Sequence, residues 1–304
     1  MNQLHKEISI FTTDNNRISL KNIYKNSSAF LILSGPSFKQ ILDSKEKINL
    51  GSKEFWYKDA LKYPGFLTMG VNNSVKSFRP NLWTSVDDPS RFMKSIWLDP
   101  KIQKFIPYEN MNKNIFDNIS WQETNVPVST CANVFGIERN DRFNASTFLT
   151  EPTFNWGDHK DYGGGRSVML IGIKLLYYLG IREIYLLGCD FKMDENHKYH
   201  FKQDRSKQAI KNNTKTYQRM IDRFNQLNPI FSQAGLKIFN CNKQSELKSF
   251  EFIDFDTAIL SIYSKFGVDI KNEKAEGLYD REAKIKQKIN KENAKATRLA
   301  QRGR

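Results

Sequence analysis

The densest group of titratable side chains in the sequence follows Asp190. The loop after that residue carries Asp194, Glu195, His197, Tyr199, His200, Asp204 and Arg205. Because an imidazole titrates near neutral pH, a histidine here suits general acid–base catalysis, and we predict His200 as a base oriented by Asp190 or Asp194. Asp190 holding a ribose hydroxyl, a metal held by His197-x-x-His200, and a plain surface role for these histidines are the alternatives.

A second candidate is the run GGGRS, residues 163–167, which leads into an apolar stretch ending at Leu179. Glycine permits positive φ angles and close backbone approach. A helix start that also carries a hydroxyl and a guanidinium suits a phosphate, so we predict phosphate contacts from Gly165, Arg166 and Ser167. A flexible link into a core helix is the alternative. An aromatic wall beside the same cleft is expected from Phe154, Trp156 and His159.

A third candidate is the turn Gly35-Pro36-Ser37, which follows the apolar run Ala29–Leu33. Ser37 is predicted to cap the helix that follows, and the backbone N–H groups there would attract an anion. A simple tight turn is the alternative. Neither G-x-G-x-x-G nor G-x-x-x-x-G-K-[ST] occurs in the chain, which argues against the usual dinucleotide-binding and P-loop classes.

Paired acids, Asp87 and Asp88, close another predicted strand. Adjacent carboxylates could chelate a divalent ion on a nucleotide diphosphate. They are not the spaced D-x-D pair of many metal-dependent glycosyltransferases. A helix start at Asp88-Pro89 is the alternative.

The elements that must position these residues are short apolar runs that alternate with helical patterns. Each run ends in small or acidic polar residues, which predicts an α/β fold with an open, mostly parallel sheet and helices on both faces. Ligands bind such sheets at the carboxyl ends of the strands. The predicted strands are 29–33, 65–71, 82–86, 183–187 and 236–239, and the clearest helices are 167–179 and 209–227. The polar ends GPS, NNS, DDP and GCDF are therefore expected to line one cleft.

Three parts of the chain differ in composition. Residues 1–26 are predicted to be a polar N-terminal extension, and residues 27–265 a catalytic domain with a lid at about 191–215. Residues 266–304 are predicted to be a basic tail, as a charged helix or a disordered segment. With 304 residues, 39% of them hydrophobic, the chain is long enough to bury a substantial core.

The charge balance favours anionic partners. The formal net charge is +14, and the segment 271–304 holds 11 Lys or Arg against 5 Asp or Glu. Nucleotides, nucleic acid and a membrane surface all fit such a balance, and a solvated basic surface is the alternative. The three cysteines are widely spaced, and we detect neither a signal peptide nor a membrane span. We therefore expect reduced thiols and a cytoplasmic location.

Two stretches resemble a known family. The segments AFLILSGPSFK and GGGRSVMLIGIKLLYYLGIREIYLLGCDF are similar to motifs of the bacterial sialyltransferase-like superfamily. That superfamily includes lipooligosaccharide sialyltransferases, motility-associated flagellin glycosylation factors and MptE-like proteins. The resemblance runs in order over roughly residues 24–250. It implies a Rossmann-like domain with a lid and an activity that uses a nucleotide-activated sugar.

The resemblance also implies roles for individual residues. Gly35, Pro36 and Ser37 would approach a phosphate of the donor, Asn72 and Asn73 its hydroxyls, Ser167 its carboxylate or phosphate, and Tyr199 a phosphate from the lid. Two positions depart from the family pattern. Ser34 stands where the sialyltransferases have asparagine, and their catalytic histidine falls near Asn212-Asn213, where this chain has none.

Together these features predict a glycosyltransferase that moves a sugar from a nucleotide-activated donor to an acceptor hydroxyl. His200 and Asp190 would carry the proton transfer, while Arg166, Ser167, Tyr199 and Arg205 would stabilise the leaving phosphate. The acceptor is a glycan or, given the charge, a modified base in phage-type DNA. No cofactor is required, with Mg²⁺ as an option on the nucleotide. The rivals are a Mg²⁺-dependent pyrophosphoryl transferase, with the ion held by Asp87, Asp88 and Asp190, and a non-enzymatic nucleic-acid-binding protein.

Overall fold

The secondary structure of the computed structural model is given for residues 7–25, 27–194, 199–203, 206–266 and 274–302. The strands there are β1 (Ile10–Phe11), β2 (Arg17–Ile18), β3 (Ser28–Ile32), β4 (Lys47–Leu50), β5 (Lys53–Trp56), β6 (Leu67–Val71), β7 (Leu82–Thr84), β8 (Gln103–Pro107), β9 (Asn114–Asp117), β10 (Gln122–Pro127), β11 (Val134–Ile137), β12 (Arg139–Asn140), β13 (Phe154–Asn155), β14 (Glu183–Leu187), β15 (Lys237–Asn240) and β16 (Glu251–Phe252). The α-helices are α1 (Ser37–Asp43), α2 (Tyr57–Ala60), α3 (Lys94–Trp97), α4 (Val168–Tyr178), α5 (Lys207–Gln233), α6 (Phe255–Phe266) and α7 (Arg281–Arg302). Short 3₁₀ turns lie at Asn72–Lys76, Pro89–Arg91, Tyr108–Asn110, Val128–Thr130 and Lys160–Tyr162.

One large sheet organises the chain. Its order is β16-β15-β14-β3-β6-β7-β8-β11-β1-β2, and neighbouring strands pair in parallel from β16 to β11. Only the last two neighbours, β11 with β1 and β1 with β2, pair antiparallel. The chain runs outward from β3 through β6, β7, β8 and β11, and then returns to β14 on the other side of β3. The sheet therefore has a topological switch point between β3 and β14.

Burial of β3 on both faces explains its unbroken apolar sequence. All five residues of this strand are buried. Ala29 and Leu31 pack into a cluster with apolar side chains of α4 and α5, whereas Phe30 and Ile32 pack into a second cluster with α1, α2 and α6. Parallel strands covered by helices on both faces have this continuous apolar composition. The predicted α/β class with a mostly parallel sheet is confirmed.

The predicted elements of the second half are close to the observed ones. The strand predicted at 183–187 has the same bounds, and the helix predicted at 167–179 is α4, Val168–Tyr178. Helix α5 extends beyond its predicted range of 209–227 at both ends. Its first residues also take up the end of the predicted lid, so 207–215 are helical.

The N-terminal segment departs from its prediction as a polar extension. Strand β1 pairs antiparallel with β11, and Ile10 is completely buried in the core. Strands of two residues show no readable periodicity, and β1 pairs with residues more than a hundred positions away, so the local sequence could not reveal this pairing.

The chain forms two compact units, Met1–Gly267 and Val268–Arg304. The second unit contains α7, whose residues up to 295 are exposed. In the part of the chain that the structure describes, no helix is both long and apolar enough to cross a membrane. All three cysteines are free thiols.

Candidate active site

A cavity of about 790 Å³ opens at the carboxyl ends of the central strands. Its volume lies within the range typical of small-molecule sites, about 300–1,000 Å³. The residues that follow β3, β6, β7 and β14 contribute to its wall, among them Ser34, Gly35, Asn72, Asn73, Asp87, Asp190 and Phe191. The predicted cleft therefore exists, and it lies at the switch point of the sheet.

The start of α4 forms one wall of this cavity. Arg166, Ser167, Val168 and Met169 all line it. Ser167 is the N-cap residue of α4, and its Oγ accepts a hydrogen bond of 3.2 Å from the Met169 N–H. The guanidinium of Arg166 lies over the ring of Trp156, with Cζ 4.3 Å from the ring centroid, and Trp156 also lines the cavity. The positive end of a helix and a fixed guanidinium thus face the same space.

The glycines before Arg166 have a different role from the predicted one. Residues 163–165 have φ values of 96°, 72° and 85°, a left-handed backbone that favours glycine. The carbonyl groups of Gly164 and Gly165 accept hydrogen bonds from the Arg223 guanidinium on α5, which also pairs with Asp158. Gly165 lies outside the cavity lining, so the structure does not support its predicted phosphate contact. The glycines instead join this loop to α5.

The Gly35-Pro36-Ser37 turn holds an internal anion. The Ser37 N–H and Oγ donate hydrogen bonds to the Asp190 carboxylate, at 3.3 Å and 2.8 Å respectively, and the Asn242 side chain donates a third at 3.1 Å. A Cβ atom at Gly35 would lie 2.0 Å from Asp190 Oδ2. Ser37 is the first residue of α1 and Pro36 is the N-cap, so the predicted cap by Ser37 is wrong. Gly35 lines the main cavity, whereas Pro36 and Ser37 line a neighbouring one of about 680 Å³, which Asp190 also lines.

The contacts of Asp190 differ from those predicted for a residue that orients His200. Burial raises the pKa of its carboxyl group, while the hydrogen bonds from Ser37 and Asn242 favour the charged form. The carboxylate does not hydrogen-bond to His200. It ties the end of β14 to the start of α1 rather than orienting an imidazole.

His200 lies outside the cavity lining, and this placement argues against its predicted role as the base. Its side chain is buried (5% exposed) between the rings of Phe38 and Phe201, whose centroids lie 5.1 Å and 4.9 Å from that of the imidazole. Nδ1 lies 3.1 Å from Ser77 Oγ, and the His200 backbone N–H donates to the Ser34 carbonyl. Burial lowers the pKa of His200 to about 4. A buried, neutral imidazole of this kind fastens a chain segment.

The fastened segment, 199–203, lies in the middle of the predicted lid, between residues 191–194 and the start of α5. Tyr199, Phe201, Lys202 and Gln203 line the cavity. The rings of Tyr199 and Phe201 stack with centroids 5.1 Å apart, and Lys76 Nζ donates to the Lys202 carbonyl. Four residues predicted for the site or its metal alternative lie outside the described residues: Glu195, His197, Asp204 and Arg205.

The two adjacent acids have separate partners. Asp87 lines the cavity, with Oδ1 3.4 Å from Arg91 Nη1. Asp88 lies outside the lining; it caps the turn Pro89–Arg91 through Ser90 and accepts a 2.8 Å bond from Lys113, which lowers the pKa of this carboxyl to about 2. Asp87, Asp88 and Asp190 do not form a shared ion site, and over the described ranges no three His, Cys, Asp or Glu side chains do. The alternative prediction, that Asp88 begins a helical turn, is confirmed.

Asn72 and Asn73 lie in the cavity wall as predicted. Asn72 has a φ of 48°, and its side-chain Oδ1 accepts a 2.8 Å hydrogen bond from Ser85 Oγ. The Asn72 carbonyl accepts from the indole N–H of Trp83 at 2.8 Å. The end of β6 is therefore held in a fixed conformation beside the cavity.

Two parts of the wall are absent from the sequence predictions. One is a stripe of α5 residues, Asn213, Thr216, Tyr217 and Met220, and the other is the β9–β10 hairpin with Phe116, Asn118 and Trp121. The α5 stripe has the spacing i, i+3, i+4, i+7 of one helical face, which is a signal that could have found it. It includes Asn213, close to where the resemblance placed a catalytic histidine. The hairpin carries no comparable signal.

The charged residues of the wall are mostly cations. Among the described lining residues the cations are Lys76, Arg91, Arg166, Lys192 and Lys202, against the carboxylates of Asp87 and Asp190. Such a wall favours an anionic ligand. In the comparisons with known proteins, the chain matches no family model, no curated sequence and no solved structure. Its function therefore has to be inferred from this geometry.

Proposed function

We propose that the chain is a glycosyltransferase of Rossmann-like fold that transfers a sugar from a nucleotide-activated donor to an acceptor hydroxyl. The observation that carries the proposal is the cavity at the switch point, where the start of α4 and Arg166 meet an aromatic and cationic wall. A nucleotide sugar combines the three things that such a wall accommodates: an aromatic base, phosphate charge and polar hydroxyls. The resemblance of the β3 and α4–β14 segments to the sialyltransferase-like superfamily supports the same class.

The α4 wall is the proposed donor-phosphate site. Negative charge develops on the leaving phosphate as the glycosidic bond to the donor breaks. The N-terminal end of α4, the Arg166 guanidinium and the lysines that line the same cavity would stabilise that charge without rearranging during the reaction. Tyr199, Phe201 and Lys202 cover the same space from the lid segment.

Asp87 replaces His200 as the proposed base. Of the two carboxylates among the described lining residues, Asp190 accepts hydrogen bonds from Ser37 and Asn242, whereas the Asp87 carboxylate pairs with Arg91, another lining residue, at 3.4 Å. The Asp87 carboxylate would take the proton of the acceptor hydroxyl. The acceptor oxygen then bonds to the anomeric carbon, and the bond from that carbon to the phosphate oxygen breaks, leaving its electron pair on the phosphate.

A thermal-shift panel of nucleotides and nucleotide sugars, with and without Mg²⁺, tests the proposal. A ligand at about 100 times its Kd adds about 2.7 kcal/mol to the free energy of unfolding. We expect a selective rise in Tm with one nucleotide sugar and its nucleotide. Arg166→Ala should lose this response, and Arg79→Ala, which changes an arginine outside the cavity bonded to Ser95, should keep it.

Two outcomes would contradict the proposal. A response to ATP alone that requires Mg²⁺ would indicate phosphoryl or pyrophosphoryl transfer. No response to any nucleotide, together with tight binding of DNA or RNA, would indicate the non-enzymatic nucleic-acid-binding protein.

A further inference from the structure

The β9–β10 hairpin forms an exposed edge of the cavity. The strands Asn114–Asp117 and Gln122–Pro127 pair antiparallel, and the tip between them carries Trp121. Phe116, Asn118 and Trp121 line the cavity, yet the Trp121 side chain is 77% exposed. Large aromatic side chains are costly to leave in water, so an indole in this position at a cavity mouth indicates a contact surface.

The backbone of Trp121 is strained. Its φ of 57° lies in the left-handed region, which bulky L-residues rarely adopt. The Trp121 ring packs only edge-on against Phe116, with centroids 5.4 Å apart, so burial does not explain the conformation. Glycine would occupy this position without strain. Strained residues cluster at active sites and ligand contacts, so this conformation supports a functional role for Trp121.

The tip is also held in place. Asp117 Oδ1 accepts a 2.9 Å hydrogen bond from the Ile119 N–H, and Oδ2 accepts one of 3.0 Å from Lys94. Strand β9 packs against the turn Pro89–Arg91, which directly follows Asp87 and Asp88. The hairpin therefore positions the Trp121 indole relative to the residue proposed as the base.

The electrostatic character of this edge distinguishes between possible ligands. The segment 85–130 carries five Lys or Arg and six Asp or Glu, in a chain whose net charge is +14. Three of its five cations form ion pairs, Lys94 with Asp117, Lys113 with Asp88 and Arg91 with Asp87, and a fourth, Lys104, is buried and donates to three backbone carbonyls. A nucleic acid requires cations that can neutralise its phosphates. A nearly neutral, aromatic edge suits the C–H face of a sugar ring instead.

We propose that the β9–β10 hairpin binds the acceptor and that the acceptor is a neutral glycan, one of whose sugar rings stacks on Trp121. This inference rests on the proposed glycosyl transfer, because it assigns the acceptor to the hairpin part of the cavity wall and leaves the donor phosphate at the start of α4. The glycan's free hydroxyl is directed towards Asp87. Nucleic acid is then not the acceptor at this edge.

Binding of the full-length chain to immobilised neutral and acidic oligosaccharides tests the inference, with a twelve-residue oligothymidylate in the same assay. We expect binding of at least one neutral oligosaccharide, a loss of at least tenfold in Trp121→Ala, and retention in Trp121→Phe. Trp56→Ala is the matched control, because Trp56 is 43% exposed on β5 and lies outside the cavity lining. Trp121→Gly should lose the glycan without a fall in Tm, since it relieves the positive φ.

The inference is overturned if no neutral oligosaccharide binds, if Trp121→Ala binds as wild type does, or if oligothymidylate is the ligand lost in Trp121→Ala. The Tm response to nucleotide sugars, measured on the same variants, separates the two proposals. Loss of glycan binding in Trp121→Ala with an intact donor response supports both. An intact donor response without Trp121-dependent glycan binding overturns only the acceptor assignment, whereas glycan binding without any donor response overturns only the transferase.

Discussion

The turns that lead into α1 and α4 are alike in composition and differ in what they face. The first turn is Gly35-Pro36-Ser37 and the second is residues 163–167. Each contains glycine, ends in a serine and leads directly into its helix. The start of α1 is closed by the Asp190 carboxylate, whereas Arg166 and Ser167 at the start of α4 face the cavity. A helix N-terminus becomes a ligand site only where the fold leaves it without an internal anion. We therefore expect residues that face the cavity to carry activity, and residues with internal partners to carry stability.

The largest expected difference is between the transfer rates of variants at Asp87 and at its neighbour Asp88. If Asp87 is the base, Asp87→Asn should lower the rate of sugar transfer by about 10²–10⁴-fold, because proton removal from the acceptor is lost. Asp88→Asn should transfer sugar at close to the wild-type rate, since Asp88 caps a turn and pairs with Lys113. Steady-state transfer assays on both variants, with donor binding measured by thermal shift, check this. Equal losses in the two variants would contradict it.

Substitutions of Arg166, before α4, and of Ser37, at the start of α1, test whether the two turns differ in their effect on activity. We expect Arg166→Ala to lower transfer by about 10²–10³-fold, as for removal of one group that stabilises charge in a transition state. Ser37→Ala removes the 2.8 Å hydrogen bond to Asp190 and should lower the free energy of unfolding with little effect on transfer. A Ser37→Ala variant that loses transfer but keeps wild-type stability would mean that the α1 turn is also a ligand site.

His200 predicts a pH dependence of stability. Its folded pKa of about 4 lies below the ordinary value near 6.5, so the neutral imidazole is favoured in the native state. Above about pH 6.5 the imidazole is neutral in both states and the free energy of unfolding is at its full value. As the pH falls towards 4, the unfolded chain binds a proton that the folded chain does not, and the free energy of unfolding decreases by about 3 kcal/mol. Denaturant melts of wild type and His200→Gln across this range should show the difference.

His159→Gln is the matched control for that measurement, because His159 is partly exposed and pairs with Asp161 at the surface. The change in pH dependence should be larger for His200→Gln than for His159→Gln, because only His200 is buried. A His200→Gln variant with an unchanged pH dependence would show that the imidazole does not fasten the lid segment through its neutral form.

The smallest expected difference is between the losses of stability in Gly35→Ala and Gly163→Ala. A Cβ at position 35 would meet Asp190 Oδ2 at 2.0 Å and the Gly188 carbonyl at 2.4 Å, so Gly35→Ala should cost about 1–3 kcal/mol from overpacking. At Gly163 no heavy atom lies within 4 Å of such a Cβ, and only its φ of 96° opposes alanine, at a cost of about 1 kcal/mol. Denaturant midpoints would show which variant loses more stability. A larger loss in Gly163→Ala would contradict the close packing of the α1 turn against Asp190.

Local composition was enough to predict the central elements. The runs that became β3, β14 and α4 are almost wholly apolar, and a segment buried on both sides needs little else to be recognised. The polar residues at the strand ends followed from the same pattern, since the carboxyl ends of parallel strands share one edge. This is why the cleft and several of its wall residues, including Asn72, Asp87 and Ser167, could be placed in advance.

The partners of individual side chains could not be predicted in this way. His200 and Asp190 have the residue types of a catalytic pair, but the first is buried against Phe38 and Ser77 and the second binds Ser37. Ser37 and Asp190 are separated by 153 positions. No periodicity or motif encodes a contact over that distance.

The sequence by itself determined the α/β class, the central strands and the edge of the sheet at which polar residues collect, because each depends on burial patterns within a few neighbouring residues. Only the tertiary structure decided which helix start remains accessible, which of the two lining carboxylates is held by internal hydrogen bonds, and that a hairpin with Trp121 contributes to the cavity wall. Those features depend on contacts between distant segments. Charge and hydrogen-bonding groups act through their nearest partners in space, and the chain order does not specify those partners.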